Sequence, residues 1–430
     1  MENSAHRRIN LIHRHLHSPP CDFINALNLA QTNGGNQLQT GVAEPVIVGS
    51  MVLDIHAIPS FSAVPRSTTP GKINYILGGV ARNVAECMSK LGANPFLISV
   101  VGHDMAGIRK HKDISTAVVC AVVDFHGELA AAVASVEAIF LYKKKLVVVP
   151  QGTETGLMQE KFLTPEWIEQ FKCNIRDAPV LMVDANLNSL ALEVSCQMAA
   201  EYNTPVWFEP VSVAKSRRIA SVVKYISFTS PNEDELIAMA NALSGQDLFS
   251  PIKQDNSITI ESFFEQLKSA VWVLLEKGIK VVVLTVGARG VFVCSKGQPS
   301  FMKISSKEEI NKYKSCSQLF RTLATSCPPN MFPVSPVTEK SSFLFAMHFP
   351  ALPASVVRLT GCGDCLVGGM LASICAGLNI YQSTAIGIAT AKATVETENN
   401  VPHEFHSAKI ADDARLVYTA GRIVFHDPMP

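Results

Sequence analysis

The sequence predicts an α/β fold, in which a doubly wound, mostly parallel sheet is covered by helices on both faces and carries a small β lid. From Pro45 onward, short apolar runs alternate with segments of helical periodicity, as is typical of parallel sheets buried between helices. Two further segments, about 55–77 and 113–130, lack helical periodicity and contain several prolines or β-branched residues. These segments predict the strands of the lid.

The main sheet and its helices are predicted from the period of the apolar residues. Short apolar runs predict strands over residues 46–48, 95–101, 180–183, 206–208, 225–228 and 280–286. Apolar residues at helical spacing predict helices over residues 79–91, 190–202, 233–243 and 262–277. The first of these helices has one apolar face, formed by Val80, Val84, Cys87, Met88 and Leu91. We expect that face to pack against the sheet.

Composition and charge exclude several classes of protein. The 430 residues include 37 Lys+Arg and 37 Asp+Glu, and this balance argues against a partner made of nucleic acid. With 47% hydrophobic and 17% charged residues, the chain has enough apolar side chains for a large core. The 11 cysteines follow no regular spacing, which favours a reducing compartment over a disulfide scaffold. We expect a leader and linker over residues 1–44 and one folded domain over 45–430.

An uncharged stretch near the C-terminus raises the question of a membrane span. Residues 365–391 contain no Asp, Glu, Lys or Arg, and the stretch is long enough to cross a bilayer. However, it also contains Gly377, Asn379 and Gln382, and the Gly-Leu-Asn sequence there is typical of a helix end followed by a new helix start. We therefore predict two buried helices and no membrane partner.

The turn TGCGD at 360–364 precedes the first of these helices and carries the most informative chemical pattern. The amides of Gly361, Cys362 and Gly363 lie at a glycine-rich turn, where a helix N-terminus adds partial positive charge. Such amides can hold a transferring phosphoryl group while Asp364 removes a proton from an alcohol. The alternative is a strand-to-helix turn in which Asp364 only caps the helix.

The same turn contains a rival pattern. Cys362 and Cys365 form a C-x-x-C at a helix N-terminus, an arrangement that lowers a thiol pKa in redox proteins. As a hypothesis, oxidation to a disulfide would displace the turn and reversibly stop catalysis. The alternative is that both cysteines are inert small core residues.

Two more stretches place polar groups at the starts of predicted helices. Gly78 and Gly79 precede the helix that carries Asn83. Asn232 and Glu235 share one helical face, where they can hold Mg²⁺ through waters, because this ion takes few direct protein ligands. The alternative for this second pair is a capping box, in which an Asn cap is followed three residues later by Glu.

A third stretch, TVGARG at 285–290, links two predicted strands. Thr285, Gly287 and Gly290 would allow the backbone to approach the phosphates of a nucleotide. The alternative is an ordinary hairpin turn.

In this order, the motifs resemble those of the ribokinase-like (PfkB) family of carbohydrate and nucleoside kinases. The likeness extends from about residue 46 to 394, and it includes the G-x4-D of Gly49 and Asp54 and a G-x-D-x-x-G that begins at Gly102. The resemblance implies a ribokinase-like doubly wound sheet with a β lid. It also implies in-line transfer of a phosphoryl group from ATP, with Mg²⁺, to a hydroxyl of a small sugar or nucleoside. We further expect a homodimer formed through the lid.

The resemblance also implies roles for individual residues. Asp364 would be the general base, with the anion hole at Gly361, Cys362 and Gly363. Sugar hydroxyls would bind at Asp54, Gly78, Gly79 and Asn83. Phosphates and Mg²⁺ would bind at Asn232 and Glu235, and the nucleotide at Thr285, Gly287 and Gly290. Arg358 and Leu359 occupy the positions where many members have Asp-Thr, and that Asp helps to form a monovalent-cation site. Activation by potassium is therefore not implied for this chain.

Within the family, the chain resembles the pseudouridine kinases. The segment 208–212 (FEPVS) with Lys215 is similar to their D-P-V-S-x-x-K signature, with Glu209 in place of Asp. The resemblance implies phosphorylation of the 5′-hydroxyl of pseudouridine in nucleoside catabolism. The alternatives are another sugar or nucleoside kinase of the family, or a catalytically weak ligand-binding form.

The alternative of a catalytically weak ligand-binding form arises from two departures from the family pattern on the lid side. A segment of the family pattern is missing after Gly107, and residues 141–160 are expected to be an irregular insertion. Another irregular insertion, rich in proline and on the surface, is expected over residues 303–354.

The first residues of the chain carry a targeting pattern. Arg8, Ile9, His15 and Leu16 match R-[LI]-x5-[HQ]-L, which resembles a type 2 peroxisomal targeting signal. Such a signal is an address read by a receptor, so we expect the peroxisomal import receptor as a partner and the peroxisome as the location. The alternatives are a transit peptide, a metal-binding patch of histidines, and a cytoplasmic location.

Overall fold

The computed structural model describes residues 44–62, 68–99, 118–123, 129–135, 164–252, 257–297, 318–328, 331–332 and 343–429. Within these residues the strands form two sheets, one of nine strands and one of four. Several sequence expectations lie outside the described residues: the leader up to residue 43, the G-x-D-x-x-G motif at 102–107 and the insertion at 141–160.

The strands are short, as expected for a sheet buried between helices. In chain order they are β1 (Val46–Val48), β2 (Val52–Pro59), β3 (Gly71–Gly78), β4 (Phe96–Ile98), β5 (Val118–Val123), β6 (Leu129–Ser135), β7 (Leu181–Asp184), β8 (Val206–Glu209), β9 (Ile226–Thr229), β10 (Val281–Thr285), β11 (Val291–Lys296), β12 (Phe343–Phe349) and β13 (Arg422–Pro428).

The helices alternate with the strands of the large sheet. They are α1 (Val80–Lys90), α2 (Pro165–Glu169), α3 (Lys172–Asp177), α4 (Ser189–Glu201), α5 (Val213–Ser216), α6 (Ile219–Val222), α7 (Glu233–Ser244), α8 (Ile260–Glu276), α9 (Gln318–Ser326), α10 (Cys362–Cys375), α11 (Ile380–Val395) and α12 (Ser407–Thr419). Each predicted helix is present with ends that differ by only one or two residues.

The large sheet has the order β13-β12-β11-β10-β9-β8-β7-β1-β4. Its strands are parallel from β4 to β10. The remaining strands, β11 to β13, continue the sheet in antiparallel pairs. The predicted doubly wound and mostly parallel sheet is thus confirmed. The carboxyl ends of its parallel strands meet along one edge, where ligands bind in open α/β sheets.

Apolar cores cover both faces of this sheet. Strand β1 shows the reason for the continuous apolar runs, because Val46 and Val48 enter one core and Ile47 enters the other. All three residues are completely buried. A strand buried on both faces has no polar positions in alternation.

The uncharged stretch forms two helices, as predicted. Helix α10 ends at Cys375 and α11 begins after Asn379, whose side chain accepts a hydrogen bond from Gln382 N in a capping box. Among the helices of the described residues, none combines the length and the apolar character that crossing a bilayer requires.

The predicted lid is a separate four-stranded sheet in the order β3-β2-β5-β6. Strand β2 pairs antiparallel with β3 and parallel with β5, and β5 pairs antiparallel with β6. The segment that joins β3 to α1 connects this lid directly to the main domain.

The expectation of an irregular surface insertion over residues 303–354 is wrong for its described part. Helix α9 places Leu319, Phe320 and Leu323 in the core, and β12 is an almost fully buried strand inside the main sheet. The prolines that suggested irregular structure lie outside these two elements. The strand itself, FLFAMHF, is a nearly continuous apolar run and carries no alternation that would reveal it.

Candidate active site

Asp364 and Asn83 meet where α10 begins. Asn83 lies on α1, and its Nδ2 donates a hydrogen bond to Asp364 Oδ2 at 2.7 Å. The two helices approach closely because Gly368 of α10 has no side chain: a Cβ there would lie 2.7 Å from Cys87 Cβ. The sequence expectation that both residues belong to one site therefore agrees with their placement.

The environment of Asp364 suits it to accept a proton near neutral pH. Burial raises the pKa of Asp364 to about 7, and the negative charges of Asp184 and Asp54 act in the same direction. The hydrogen bond from Asn83 and the positive charge of Arg82 oppose this rise. A base whose pKa lies near the working pH is well matched to general-base catalysis.

The glycine turn at the start of α10 has the shape of an anion site. Gly361 is in the left-handed region, with φ of 84°, and a Cβ there would lie 2.2 Å from Asn400 O. Its lack of a side chain leaves the first helical amides without a side-chain cap. The N–H of Cys362 bonds to Leu359 O at 3.3 Å, whereas the space above Gly363 is open. The turn thus presents the amide of Gly363 at a helix N-terminus, a site that favours anions.

Cys362 of this turn does not have the character of a redox thiol. Burial, assisted by the charge of Asp364, raises the pKa of Cys362 to about 11. Cys365 is fully buried, and its Sγ donates to Asn400 O at 3.6 Å. For Cys362, the expectation that a place at the helix N-terminus lowers the thiol pKa is wrong, because desolvation outweighs the dipole.

Asp54 brings the lid to the same site. It lies on β2, and its Oδ2 accepts a hydrogen bond from Asn400 Nδ2 at 2.9 Å. Gly78 leaves the room for this carboxylate, since a Cβ there would lie 2.2 Å from Asp54 Oδ2. Burial raises the pKa of Asp54, and the hydrogen bond from Asn400 and the charge of Arg358 oppose this rise. Arg358, which also donates to Glu398 O at 2.8 Å, thus places a positive charge beside the lid carboxylate.

Asp184 is a residue that the sequence analysis missed. It ends β7 and is completely buried. Its Oδ2 accepts hydrogen bonds from Ser50 N and Ser50 Oγ, both at 2.8 Å, and from Ala81 N at 3.2 Å. It therefore holds the end of β1 against the start of α1, next to Gly79. The sequence did contain a signal for Asp184, because it is an acidic residue at the carboxyl end of a predicted parallel strand.

A cavity of about 180 Å³ extends from this turn toward α7. Its lining includes the predicted residues Gly363, Asp364, Asn232, Glu235 and Thr285. The structure thus unites the proposed base with the residues expected to hold phosphates and Mg²⁺.

The pair Asn232 and Glu235 forms the capping box that was the alternative interpretation. Asn232 Oδ1 accepts from Glu235 N, and Glu235 Oε2 accepts from Asn232 N, both at 2.9 Å. The two side chains still border the cavity, so a role toward Mg²⁺ stays a prediction. Within the described part of the chain, no group of three or more His, Cys, Asp or Glu residues is arranged to hold a metal ion.

Glu209 also lines this cavity, although it was not among the predicted site residues. It ends β8 and accepts a hydrogen bond from Ser230 Oγ, which in turn accepts from Trp207 Nε1 at 2.8 Å. Burial raises the pKa of Glu209 well above its usual range, and the charges of Glu235 and Asp364 add to this effect. The oxygen donors around the cavity are of the type that Mg²⁺ binds, largely through its waters.

The stretch from Thr285 to Gly290 is a turn between β10 and β11, as the alternative interpretation held. Thr285 borders the cavity, and its N–H donates to Pro231 O at 2.9 Å. Gly287 and Gly290 are not part of the cavity lining. Gly290 instead packs against the end of β12, where a Cβ would lie 2.1 Å from Phe349 O.

Comparisons with known proteins agree with this arrangement. Residues 43–310 match the pfkB family of carbohydrate kinases. The chain is 48% identical over 398 residues to a pseudouridine kinase of Arabidopsis thaliana, a match that covers 89% of this chain and 98% of that protein. It is 27% identical over 264 residues to a pseudouridine kinase of Escherichia coli (strain K12), covering 57% of this chain and 71% of that protein.

Solved structures show the same fold. The ribokinase of Arabidopsis thaliana, solved with ribose and ATP, matches 87% of this chain and 99% of its own with a TM-score of 0.58 at 14% identity. The ribokinase of Thermotoga maritima matches 86% of this chain and 99% of its own with a TM-score of 0.57 at 16% identity. With this ribokinase-like fold, the family match over most of the chain, and Asp364 at a glycine-rich helix N-terminus, the chain belongs to the pfkB family of carbohydrate kinases and is a phosphotransferase that acts on an alcohol group.

Proposed function

We propose that this chain transfers a phosphoryl group from ATP to the 5′-hydroxyl of pseudouridine. The main structural support is the hydrogen bond of 2.7 Å from Asn83 to Asp364, which joins a residue expected to bind the sugar to the residue expected to act as base. The choice of substrate is supported by the 48% identity to the pseudouridine kinase of Arabidopsis thaliana.

Each part of the site has a role in this reaction. Asp54 and Asn83 bind ribose hydroxyls, together with the backbone at Gly78 and Gly79. Asp364, with its pKa raised to about 7, accepts the proton of the 5′-hydroxyl. The turn from Gly361 to Gly363 holds the phosphoryl group during transfer through the helix N-terminus.

The nucleotide side of the site is formed by the cavity between α7 and α10. Asn232, Glu235 and Thr285 border it. Mg²⁺, when bound with ATP, neutralises charge that develops on the phosphates. The side chains of Glu235 and Glu209 would meet its waters, because Mg²⁺ keeps most of its hydration shell in proteins.

The proposal is tested with purified protein, ATP and Mg²⁺, and a panel of pseudouridine, uridine, adenosine and ribose. Mass spectrometry identifies which compound gains a phosphate. Pseudouridine and uridine are isomers that differ only in the glycosidic bond, so they form a matched pair for specificity. We expect phosphorylated pseudouridine, and no product with Asp364→Asn. Phosphate on uridine, adenosine or ribose in place of pseudouridine would contradict the substrate, and binding without turnover would favour the weak ligand-binding form.

We also propose that the protein acts in peroxisomes and is delivered there by the import receptor for type 2 signals. The support is the match of Arg8, Ile9, His15 and Leu16 to that signal. A fluorescent fusion of the full chain is expected to colocalise with a peroxisomal marker, and the same fusion with Arg8→Ala and Leu16→Ala is expected in the cytosol. A full-length fusion that never reaches the marker would contradict this location.

A homodimer through the lid is a further part of the proposal. Its support is a row of exposed apolar side chains on one face of the edge strand β3: Ile73, Tyr75 and Leu77 are 62%, 68% and 44% exposed. Asp54 lies on the opposite face of the lid sheet, because alternate residues of paired strands point to opposite sides. We expect a dimer by light scattering and a monomer for Tyr75→Glu, whereas a monomeric wild type would contradict the pairing.

A further inference from the structure

Arg82 connects the end of the lid to the proposed base through one hydrogen-bonded chain. Its Nη1 donates to Leu77 O, at the end of β3, and to Asn83 Oδ1, both at 2.8 Å. Asn83 Nδ2 then donates to Asp364 Oδ2 at 2.7 Å. On the other side, Leu77 O also accepts from Asn400 Nδ2 at 3.3 Å, and Asn400 binds Asp54. One chain of contacts thus extends from the lid carboxylate to the base.

The guanidinium of Arg82 and the carboxylate of Asp364 together decide which way the amide of Asn83 faces. Arginine has only donors and an ionised carboxylate has only acceptors, whereas an amide has one acceptor side and one donor side. With Arg82 on one side and Asp364 on the other, only one orientation of Asn83 makes both contacts. The reversed amide would place donors against donors and its oxygen against the carboxylate. Asn83 is 3% exposed, so water does not supply substitute partners at low cost.

The position of Arg82 is itself well defined. It forms an ion pair with Glu86, one helical turn further along α1, and Glu86 also pairs with Lys90 at 2.7 Å. The contact with Leu77 O prevents the guanidinium from turning away from the site. Arg82 therefore presents its donors to Asn83 in a fixed direction.

Arg82 also supplies a positive charge among several negative groups. Its charge lowers the pKa of Asp364, whereas Asp54 and Asp184 raise it. Two other titratable groups interact with Asp364: Glu209 from β8 and Cys362 from its own helix. Loss of the guanidinium would therefore disfavour the ionised form of the base and also release the amide that is bonded to it.

We propose that Arg82 is a positioning residue of the phosphotransfer site, which sets the polarity of the Asn83 amide and, through it, the orientation of Asp364. This proposal rests on the proposed function, because the orientation of Asp364 matters for turnover only if Asp364 is the base. Catalysis by positioning is sensitive to displacements of about 1 Å. In this proposal Arg82 acts through Asn83 and is not one of the residues that bind the sugar or the phosphates.

The first test is a double-mutant cycle between Arg82 and Asn83, measured as kcat with whichever substrate the nucleoside panel identifies. Arg82→Met keeps the length of the side chain but removes its donors, and we expect kcat to fall roughly 10- to 100-fold. The KM for ATP should stay within about threefold of wild type. Measured well above pH 7, where Asp364 is ionised with or without the charge of Arg82, the same change in an Asn83→Leu background should cost about twofold or less, because the group through which Arg82 acts is gone. An equal loss in both backgrounds would overturn the proposal.

Two further variants separate positioning from stability. Arg82→Lys keeps the charge but lacks the planar fork, so it should recover only part of the lost kcat. Glu86→Gln removes the ion pair of Arg82 but leaves its donors, and kcat should stay within about threefold, since such pairs contribute little. A loss in Glu86→Gln equal to that in Arg82→Met would assign the effect to helix α1 as a whole and overturn the proposal. The melting temperature of each variant verifies that it folds.

A second measurement needs no turnover and is independent of the proposed function. The side-chain amide protons of Asn83, assigned by their loss in Asn83→Leu, are followed by ¹⁵N–¹H NMR. In wild type and in Glu86→Gln, the amide proton of Asn83 that bonds to Asp364 should have a chemical shift well separated from that of the second proton on the same nitrogen. In Arg82→Met this separation should collapse, and in Arg82→Lys it should be only partly retained. If it persists in Arg82→Met, Arg82 does not set the amide polarity; if wild type phosphorylates nothing on the panel, only the proposed function fails.

Discussion

Asn400 Nδ2 donates a hydrogen bond to Asp54 Oδ2 across 2.9 Å, although 346 positions of the chain separate them. Asp54 belongs to the lid, and Asn400 lies in the loop between α11 and α12, where its own carbonyl faces Gly361 of the glycine turn. Asn400 thus contacts the lid through its side chain and the glycine turn through its backbone. A substitution that changes only the side chain of Asn400 therefore removes its contact with the lid and keeps its backbone contact with the turn.

Asn400→Leu is expected to weaken binding of the nucleoside but not of ATP. The change removes a hydrogen bond to a carboxylate, a loss worth about 1.5–3 kcal/mol, or roughly 10- to 100-fold in KM for the nucleoside. The carbonyl that faces Gly361 stays in place, so the KM for ATP should be unchanged. Steady-state kinetics with each substrate varied in turn measures the difference. Asn399→Leu is the matched control, because Asn399 bonds to His403 outside the site. An equal rise in both values of KM would contradict this role.

Asp364→Asn is expected to abolish turnover and leave the fold intact. Asparagine has nearly the same shape but does not accept the hydroxyl proton, and loss of a general base costs roughly 10²–10⁴-fold in rate. Single-turnover kinetics with saturating ATP measures this loss directly. If activity stayed within about threefold of wild type, Asp364 would be a helix cap only.

The activity should fall on the acid side of neutrality. Burial raises the pKa of Asp364 to about 7, and protonation removes the base, so kcat should decrease about tenfold per pH unit below that value.

The folded-state pKa of Asp364 lies above the ordinary 3.8, so the folded state binds the proton more tightly than the unfolded one. The stability that the protonated Asp364 contributes is fully present below about pH 4 and is lost as the pH rises through about 7. Asp364→Asn should therefore raise the melting temperature at pH 8 and leave it unchanged at pH 4.

Gly361→Ala and Gly363→Ala should behave differently although they lie two positions apart. Gly361 has φ of 84° and faces Asn400 O, so an added Cβ meets backbone at 2.2 Å. We expect Gly361→Ala to lose at least about 1–3 kcal/mol of folding free energy. At Gly363 an added Cβ would meet nothing within 4 Å, so its alanine variant should melt close to wild type. Denaturant unfolding of the two variants measures this contrast, and equal losses would contradict it.

Peroxide should not inactivate the enzyme through the cysteines of the turn. The pKa of Cys362, raised to about 11 by burial, leaves very little thiolate near neutral pH, and thiolate is the form that oxidises. Wild type and Cys365→Ala should lose activity at the same slow rate in peroxide. Faster inactivation of wild type, reversed by dithiothreitol, together with a disulfide between Cys362 and Cys365 by peptide mapping, would restore the redox hypothesis.

Local pattern was enough to predict most of the secondary structure and the order of the motifs. Helix α1 was predicted to within one residue at each end, and the break between α10 and α11 was predicted at residues 377–379, because the period of apolar residues and the Gly and Asn at helix ends act over one or two turns. Strand β12 was missed, because a strand buried on both faces has no alternation, and the prolines around it suggested a loop.

The sequence by itself determined the fold class, the family motifs and the side chains Asp54, Asn83 and Asp364 as parts of one site. Only the tertiary structure decided what holds these groups: Asp184 contacts Ser50 across 134 positions, and Asn83 contacts Asp364 across 281. Burial and charge at such contacts also set the pKa of Asp364 and keep the thiol of Cys362 protonated. These properties depend on groups that are distant in the chain and adjacent in space, so no local pattern contains them.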